Sequence, residues 1–374
     1  EKLPSIKDQG SYGICWAMSA ITLLEINMMK NGYAEDDYSD LHLAYYAYHT
    51  AVDELGGLEG DERNLQGGMS FATSGGNYDM AVSTLKNWKG AAEEELVPLT
   101  DDVIKRLEEE GLAEEYAFDD AAYMKSFYAI DMMAVEDVKR AIVDYGAVAI
   151  TYYMDGAFWS KTDCYNPDNA AYYCPHDFGT NHGVVIVGWD DNYAASNFST
   201  TPPRNGAWIV RNSWGSDYGN AGYFYLSYAD VTIGETGYAA EAVPASRYDH
   251  NYQYDGGVYS DYIYDFRNYS EVKAANVFTA KGNPTGAERI TAVSFETYDV
   301  NCQYIVAVYK GLSDGTNPES GELVSWQEGT TSYVGSYTVE LPQSIYVDEG
   351  STFSVVVTLV NTNDGIAAIA VERD

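Results

Sequence analysis

The chain has 374 residues, of which 46% are hydrophobic, so it is long enough for two folded domains that each bury a core. Its 57 Asp and Glu residues outnumber its 21 Lys and Arg residues, which gives a formal net charge of −36 at pH 7. Because such a surface repels phosphate backbones and anionic lipids, we exclude nucleic acid and membrane surfaces as binding partners.

The first part of the chain has the periodicity of helices. Ala17, Ile21, Leu24 and Met28 recur at intervals of three or four residues, which predicts a helix over residues 15–30. Patterns of the same kind predict further helices over the ranges 41–52, 78–88, 100–116 and 136–145.

The later part of the chain is typical of strands. Short runs rich in β-branched and aromatic residues, AVAITYY, GVVIVGW, GAWIVRN and GYFYLSY, are bounded by Gly, Asp and Asn. Helices followed by strands predict an α+β domain with a cleft between two lobes. After a linker-like segment near 241–257, alternation over 258–374 predicts an all-β sandwich. The predicted domains are 1–244 and 245–374.

A cysteine opens the first predicted helix. The N-terminal end of a helix stabilises a thiolate, so Cys15 in the segment DQGSYGICWA is a candidate nucleophile. Gln9 lies six residues upstream, and its amide could turn back beside the backbone N–H of Cys15 to face an oxyanion. A single cysteine is more often a buried, inert thiol, so Cys15 alone does not establish a site.

Two further segments carry groups that suit a cysteine nucleophile. His182 opens the β-rich run NHGVVIVGW, and a strand would hold its imidazole rigidly. Asn212, in RNSWG, could accept a hydrogen bond from that imidazole and fix its tautomer, with Trp214 covering the bond from water. Taken singly, the histidine also fits a core position and the asparagine an ordinary turn after a strand.

The three segments together resemble the active site of the papain family of cysteine proteases. QGSYGICWA resembles the family's cysteine segment, NHGVVIVGW its histidine strand and RNSWGSDYGNAGYFYLS its asparagine strand, over about residues 3–230. The resemblance implies a papain-like two-lobed fold, with a helical lobe and a β-barrel-like lobe. It also implies the catalytic set Cys15, His182, Asn212 and Gln9.

The same resemblance implies a substrate-binding surface. In the family a pair of glycines borders the cleft and the second bonds the substrate backbone as an added strand, which here is Gly76 after Gly75. Tyr78 and Gly183 would lie near the pocket for the residue two before the scissile bond. The predicted substrate-binding residues are Gly75, Gly76, Tyr78, Asn181, Gly183 and Trp214.

The chain departs from the family pattern in two respects. The family usually has a cysteine where Tyr12 stands, paired with one where Thr73 stands, so this chain is interpreted as a variant without that disulfide. Cys15 and His182 are 167 residues apart, longer than is usual, and the acidic helical stretch near 92–125 is interpreted as the insertion.

Three other groups of residues are candidates for structural bonds. Cys164 and Cys174 flank YNPDNAAYY and predict a disulfide; a zinc site with His176 is the alternative, but no fourth ligand is evident. The oxygen-rich run 190–192 (Asp-Asp-Asn) could bind a structural calcium, with an ordinary turn as the alternative. No other cofactor or metal is predicted, and Cys302 is expected to be a buried thiol.

The sequence therefore predicts a secreted or cell-surface bacterial cysteine endopeptidase that acts on proteins or peptides as a monomer, without inserting into membranes. Its C-terminal part resembles the lectin-like sandwiches attached to some bacterial papain-like peptidases, which implies glycan binding. Two alternatives stay open: a Cys-His amidase of cell-wall peptides, and a surface adhesion protein with a vestigial peptidase.

Overall fold

The structure is a computed structural model that describes residues 2–51, 65, 69–156, 160–254, 261–282, 286–361 and 365–371. These residues pack into two compact units, of which the first ends at Asp249 and the second begins at His250.

The described helices all belong to the first unit. Each of the five predicted helices corresponds to an observed one, but three are shorter than predicted, the third because it ends at Lys86 rather than at residue 88. The second ends at Tyr46 (residue 52 of its predicted range lies outside the described residues), and the fourth ends before Gly111, whose φ of +76° leaves the helical region. The helices are α1 (Cys15–Lys30), α2 (Asp40–Tyr46), α3 (Tyr78–Lys86), α4 (Asp101–Glu110) and α5 (Val135–Tyr145).

Helix α1 is the centre of the first unit. The sequence predicts one apolar face, but every residue from Trp16 to Met28 is buried, including polar ones. A helix in this position must satisfy its polar groups internally. Asn27 does so by donating to the carbonyl of Tyr145 at 2.9 Å and accepting from the N–H of Ala242 at 2.9 Å. The helix that carries Cys15 is therefore fixed on all sides.

The strands of the first unit form one mainly antiparallel sheet in the order β3-β4-β7-β6-β5-β2-β8-β1, with β4 and β7 parallel. Helix α1 packs against β5 and β8, so that Ile21 and Leu24 share a core with Val185 and Ala240. In the predicted β-barrel-like lobe, the described strands make an open sheet and no closed barrel. The strands are β1 (Ala122–Asp131), β2 (Val148–Tyr152), β3 (Tyr165–Asn166), β4 (Ala171–Tyr172), β5 (His182–Asp190), β6 (Ala207–Arg211), β7 (Tyr223–Ser227) and β8 (Thr236–Pro244).

The second unit contains strands and, in its described residues, no helix. One sheet has the order β10-β15-β12-β13, and the other pairs β14-β11-β16-β9. Apolar residues of both sheets, among them Val293 and Phe295 of one and Val306 and Leu359 of the other, meet in a common core. The strands are β9 (Asp261–Ile263), β10 (Glu271–Thr279), β11 (Ala287–Thr297), β12 (Cys302–Lys310), β13 (Glu322–Thr330), β14 (Val334–Asp348), β15 (Thr352–Asn361) and β16 (Ile369–Val371).

Candidate active site

Cys15 is the first residue of α1. Residue Ile14 caps the helix without a side-chain hydrogen bond, so the N–H groups of the first turn are not taken by a capping side chain. The loop before Cys15 packs tightly against another loop: Gly13 donates to the carbonyl of Ala72 at 2.8 Å. A Cβ on Gly13 would lie only 3.2 Å from the carbonyl oxygen of Thr73, which explains a glycine at this position.

The sulfur of Cys15 lies against the start of β5. The N–H of Gly183, the residue after His182, donates to Cys15 Sγ at 3.4 Å. Burial raises the pKa of the Cys15 thiol, while the N–H groups of Gly183, Trp16 and Cys15 itself oppose that rise by stabilising the thiolate. The structure thus brings the sulfur next to the predicted histidine strand from a distant part of the sequence.

His182 is held on three sides. Its Nε2 lies 2.9 Å from Asn212 Oδ1, the ring of Trp214 stacks on it with centroids 4.6 Å apart, and Tyr152 of β2 lies opposite it in the sheet. Since Asn212 Oδ1 can only accept, Nε2 carries the proton and Nδ1 is left as the basic nitrogen. Burial lowers the pKa of His182 to about 4, with the Asn212 bond acting in the opposite direction.

Asn212 follows β6 directly, and its surroundings fix its side-chain amide. Its backbone N–H donates to the carbonyl of Gly222 at 3.0 Å, and its Oδ1 also accepts from the N–H of Ser213 at 2.9 Å. Trp214, which covers the bond to His182, meets Tyr218 edge-on at 4.9 Å between ring centroids. The geometry is that of a rigid acceptor shielded from water.

The amide of Gln9 is oriented by Ser213, a residue whose contribution the sequence interpretation missed. Ser213 Oγ donates to Gln9 Oε1 at 2.6 Å, and the Gln9 N–H donates to the Ser213 carbonyl at 2.8 Å. Gln9 Nε2 uses one hydrogen on the carbonyl of Tyr12 at 2.7 Å. A primary amide carries two hydrogens, so a second donor remains for a ligand. The only sequence signal for Ser213 is its position immediately after Asn212.

The predicted glycine pair lies beside the cysteine loop. The carbonyl of Gly75 accepts from the hydroxyl of Tyr48 at 3.0 Å. Gly76 lies directly on the indole of Trp16, because a Cβ there would come within 2.3 Å of Trp16 Cε2. Only a residue without a side chain allows this approach. The contact joins the glycine pair to Trp16, the residue after Cys15.

The other predicted substrate residues differ in their surroundings. Gly183 is buried beside Cys15, whereas Asn181 is exposed and its side chain bonds both backbone groups of Met154, at 2.6 and 2.9 Å. Tyr78 is only 4% exposed, and its hydroxyl donates to the carbonyl of Ile150 at 3.0 Å. Its hydroxyl also lies close to Gly183, since it would be 3.0 Å from a Cβ at that glycine, and the contact of Tyr78 with substrate stays a prediction.

The predicted disulfide between Cys164 and Cys174 is absent from the structure. Both are buried free thiols, as is Cys302. The carbonyl of Cys164 accepts from the N–H of Tyr173, so β3 and β4 already bring the two thiols together through backbone bonds. Burial and then the neighbouring Cys174 raise the pKa of the Cys164 thiol. Among the described residues, no group of three or more His, Cys, Asp or Glu side chains is arranged to hold a metal ion.

The acidic turn after β5 makes protein contacts with both of its carboxylates. Asp190 Oδ1 accepts from the N–H of Asn192 at 2.8 Å. Asp191 Oδ1 lies 2.9 Å from the ammonium of Lys139 and accepts from Tyr228. These are the contacts of an ordinary turn, and the calcium site stays a prediction.

Comparisons with known families cover both units. A family model described as papain family cysteine protease matches residues 1–246, and one described as lectin like domain matches residues 251–374. None of the helices in the described ranges combines the length and apolar character needed to cross a bilayer.

The curated relatives match the first unit. Vignain of Vigna mungo is 27% identical over 233 residues, which cover 59% of this chain and 50% of vignain. Procathepsin L of Felis catus is 27% identical over 224 residues, which cover 59% of this chain and 56% of the relative. The chain thus spans about half the length of these relatives.

Two solved structures match both units. The clostridial cysteine protease Cwp84 after propeptide cleavage has a TM-score of 0.76 at 26% identity, and the match covers 100% of this chain and 86% of that one. The cysteine protease and lectin-like domains of Cwp84, a surface layer associated protein of Clostridium difficile, give a TM-score of 0.73 at 27% identity. That second match covers 99% of this chain and 76% of the other.

Proposed function

Since the chain belongs to the papain family of cysteine proteases and continues into a lectin-like domain, we propose that it is an endopeptidase that uses Cys15 as its nucleophile. Cys15, His182, Asn212 and Gln9 act together on one peptide bond. The observation that carries the proposal is the pair of contacts at the start of β5: Gly183 N–H to Cys15 Sγ at 3.4 Å, and His182 Nε2 to Asn212 Oδ1 at 2.9 Å.

The reaction begins with a proton transfer inside the site. The Cys15 proton passes to Nδ1 of His182, and the sulfur attacks the scissile carbonyl carbon. The carbonyl oxygen gains negative charge, which the second hydrogen of Gln9 Nε2 and the backbone N–H of Cys15 stabilise. His182 then protonates the departing amine, leaving a thioester on Cys15. Water, deprotonated by His182, hydrolyses the thioester and restores the thiol.

Burial of the site disfavours the charged forms of Cys15 and His182. It raises the pKa of the Cys15 thiol and lowers that of His182, so each group alone favours its neutral form. The thiolate–imidazolium pair has the same net charge as the neutral pair. Transfer of the proton from Cys15 to His182 therefore leaves the net charge of the buried site unchanged. The N–H of Gly183 and the Asn212 bond each favour the charged form of its partner.

The experiment that tests the proposal compares hydrolysis of an unfolded protein by the wild type and by Cys15→Ala. Cys302→Ala is the matched control, because Cys302 is a buried thiol of the second unit. We expect Cys15→Ala to abolish cleavage and Cys302→Ala to leave it within about twofold, as expected for a residue outside the site. Cleavage by Cys15→Ala at the wild-type rate contradicts the proposal. Activity on muropeptides, and none on protein, favours the cell-wall amidase.

A second proposed function is glycan binding by the lectin-like unit, which would hold the protease at a cell surface after secretion. Exposed rings of Phe266, Tyr269 and Tyr298 lie on loops between strands at one end of that unit. Asn361 Nδ2 donates to Asp299, and the N–H of Ala367 donates to the carbonyl of Tyr269 at 2.8 Å, which ties those loops together. Ring faces beside carboxylate and amide groups suit a neutral sugar.

The test uses immobilised neutral oligosaccharides of glucose, galactose and N-acetylglucosamine as probes. We expect the double variant Phe266→Ala/Tyr298→Ala to lose binding. Trp326→Ala, which removes an exposed ring from β13, is the control that retains it. Binding that survives the double variant, or none by the wild type, contradicts this function.

A further inference from the structure

A partly buried cation, Lys7, lies two residues before Gln9, with 16% of its side chain exposed. The ammonium of Lys7 is 2.7 Å from Glu25 Oε1, 2.8 Å from Asp37 Oδ1 and 3.3 Å from Asp40 Oδ2, and it donates to the carbonyl of Tyr38 at 2.7 Å. The carboxylates of Glu25 and Asp40 are almost completely buried, with 1% and 2% of their side chains exposed. We call these contacts the Lys7 cluster.

The cluster connects the Gln9 segment to the helix that carries the nucleophile. Glu25 lies in α1, and Asp40 is the first residue of α2. Because α1 is buried on all sides, Glu25 is a fixed point relative to Cys15. The side chain of Lys7 thus sets the distance between its own backbone and α1.

The backbone of the same segment is attached to the turn after Asn212. The carbonyl of Lys7 accepts from the N–H of Gly215 at 3.0 Å, and Asp8 and Trp214 form an isolated antiparallel bridge. Together with the contacts of Gln9 to Ser213, these bonds hold one edge of the segment. The Lys7 side chain holds the other, so Gln9 is placed by two independent attachments.

Further upstream, a second cation secures the segment without reaching Gln9. Buried Arg211 donates to the carbonyls of Pro4, at 2.6 Å, and of Ser5. Arg211 therefore anchors the beginning of the segment. Lys7 lies nearer to Gln9, and its side chain binds Glu25 of α1 and Asp40 of α2.

Substitution of Lys7 leaves Glu25 and Asp40 as buried acids without their cation. Burial raises the pKa of Glu25 and of Asp40 even in the presence of Lys7, and loss of this cation favours their neutral forms further. Protonation of these carboxyls, water entry or movement of the segment is the available relief, and in each case the backbone that carries Gln9 loses its side-chain attachment to α1.

We propose that Lys7 is a positioning residue of the oxyanion hole, which acts through Gln9 by fixing its backbone between the Lys7 cluster and the turn after Asn212. The inference rests on the proposed peptidase function and adds to it a residue that touches neither substrate nor the reacting atoms. An acyl-transfer step is sensitive to this placement, because the donors must meet the oxygen where charge develops.

A double-mutant cycle separates this role from a general structural one. We expect Lys7→Met to lower kcat about 10- to 100-fold with KM within about threefold, since loss of a single oxyanion donor costs about 10²- to 10³-fold in kcat. In a Gln9→Ala background, Lys7→Met should lower kcat by less than about threefold, because the group it positions is gone. Lys7→Arg should recover part of the loss.

Lys139→Met is the matched control. Lys139 is an ion-paired lysine of α5 that contacts Glu136 and Asp191, away from Gln9, and its substitution should leave kcat unchanged in both backgrounds. Alkylation of Cys15 by iodoacetamide, which needs no oxyanion hole, should proceed at the wild-type rate in Lys7→Met and verifies a folded site. If Lys7→Met does not fold, the same cycle is run with Lys7→Arg.

If the kcat losses of Lys7→Met and Gln9→Ala multiply in the double variant, the inference is wrong. Slow alkylation of Cys15 in folded Lys7→Met also contradicts it. A wild type without peptidase activity, or full activity in Cys15→Ala, instead overturns the proposed function. The two failures are therefore distinguishable in one set of measurements.

Discussion

The contact between Gly76 and Trp16 gives a prediction whose size follows from the structure. In Gly76→Ala the new Cβ would lie 2.3 Å from Trp16 Cε2, 2.5 Å from Nε1 and 2.6 Å from Cδ2. Ordinary carbon contacts begin near 3.4 Å, so either the indole or the glycine loop must move by about 1 Å. Trp16 is only 3% exposed, so its indole is enclosed by other protein atoms.

Overpacking of this kind costs about 1–3 kcal/mol of unfolding free energy. Trp16 is also the residue after Cys15, so its displacement reaches the first turn of α1. A misplacement of about 1 Å at a reacting group can lower the rate about 100-fold. We therefore expect Gly76→Ala to lose about 1–3 kcal/mol of stability and to lower kcat/KM about 10- to 100-fold.

Gly32→Ala is the matched control, at the other end of the same helix. Its Cβ would meet no atom within 4 Å, but its φ of +89° is unfavourable for alanine, so it loses about 1–2 kcal/mol from backbone strain alone. The assay is urea unfolding followed by tryptophan fluorescence, together with peptide hydrolysis. Gly76→Ala with wild-type stability and activity would refute the reasoning, as would equal activity losses in both variants.

Three other predictions follow from the site and the free thiols. The wild-type kcat/KM should fall as the pH drops through about 4, where His182 becomes protonated. In Asn212→Ala, kcat should fall and this acid limb should move to lower pH, because the variant lacks the hydrogen bond that raises the pKa of His182. Because the pKa of His182 is lower in the folded protein than in the unfolded one, the free energy of unfolding should be highest above about pH 6.5 and should decrease by up to about 3 kcal/mol as the pH falls through about 4. His182→Gln should reduce this decrease, which is measured by urea unfolding at different pH values. Thiol titration of the unfolded, unreduced protein should detect four cysteines, whereas a count of two would support a Cys164–Cys174 disulfide.

The local pattern around Cys15 predicted much of the site, because its chemistry is concentrated in short segments. A cysteine at a helix start, a histidine at a strand start and an asparagine after a strand each follow from element boundaries that hydrophobic periodicity indicates. The fold of the first unit and the lectin-like unit was predicted in outline and is confirmed by the family and structural matches.

Features that depend on packing between distant segments could not be predicted. Burial of Glu25 within α1 contradicts the amphipathic pattern, and its carboxylate is compensated by Lys7 and by the N–H of Tyr38, both brought from other segments. The buried position of Tyr78 results from where Ile150 and Gly183 lie relative to α3. Sequence spacing brought Cys164 and Cys174 close together, but proximity does not determine whether a bond forms.

The most direct measurement is mass spectrometry of the native protein after reaction with an epoxysuccinyl peptide analogue. The nucleophile must be ionised and reachable from the cleft, so we predict a single adduct on the peptide that contains Cys15. The adduct should be absent in Cys15→Ala. Modification of Cys164, Cys174 or Cys302 in preference to Cys15, or no adduct on the folded protein, would contradict the assignment of Cys15 as the nucleophile.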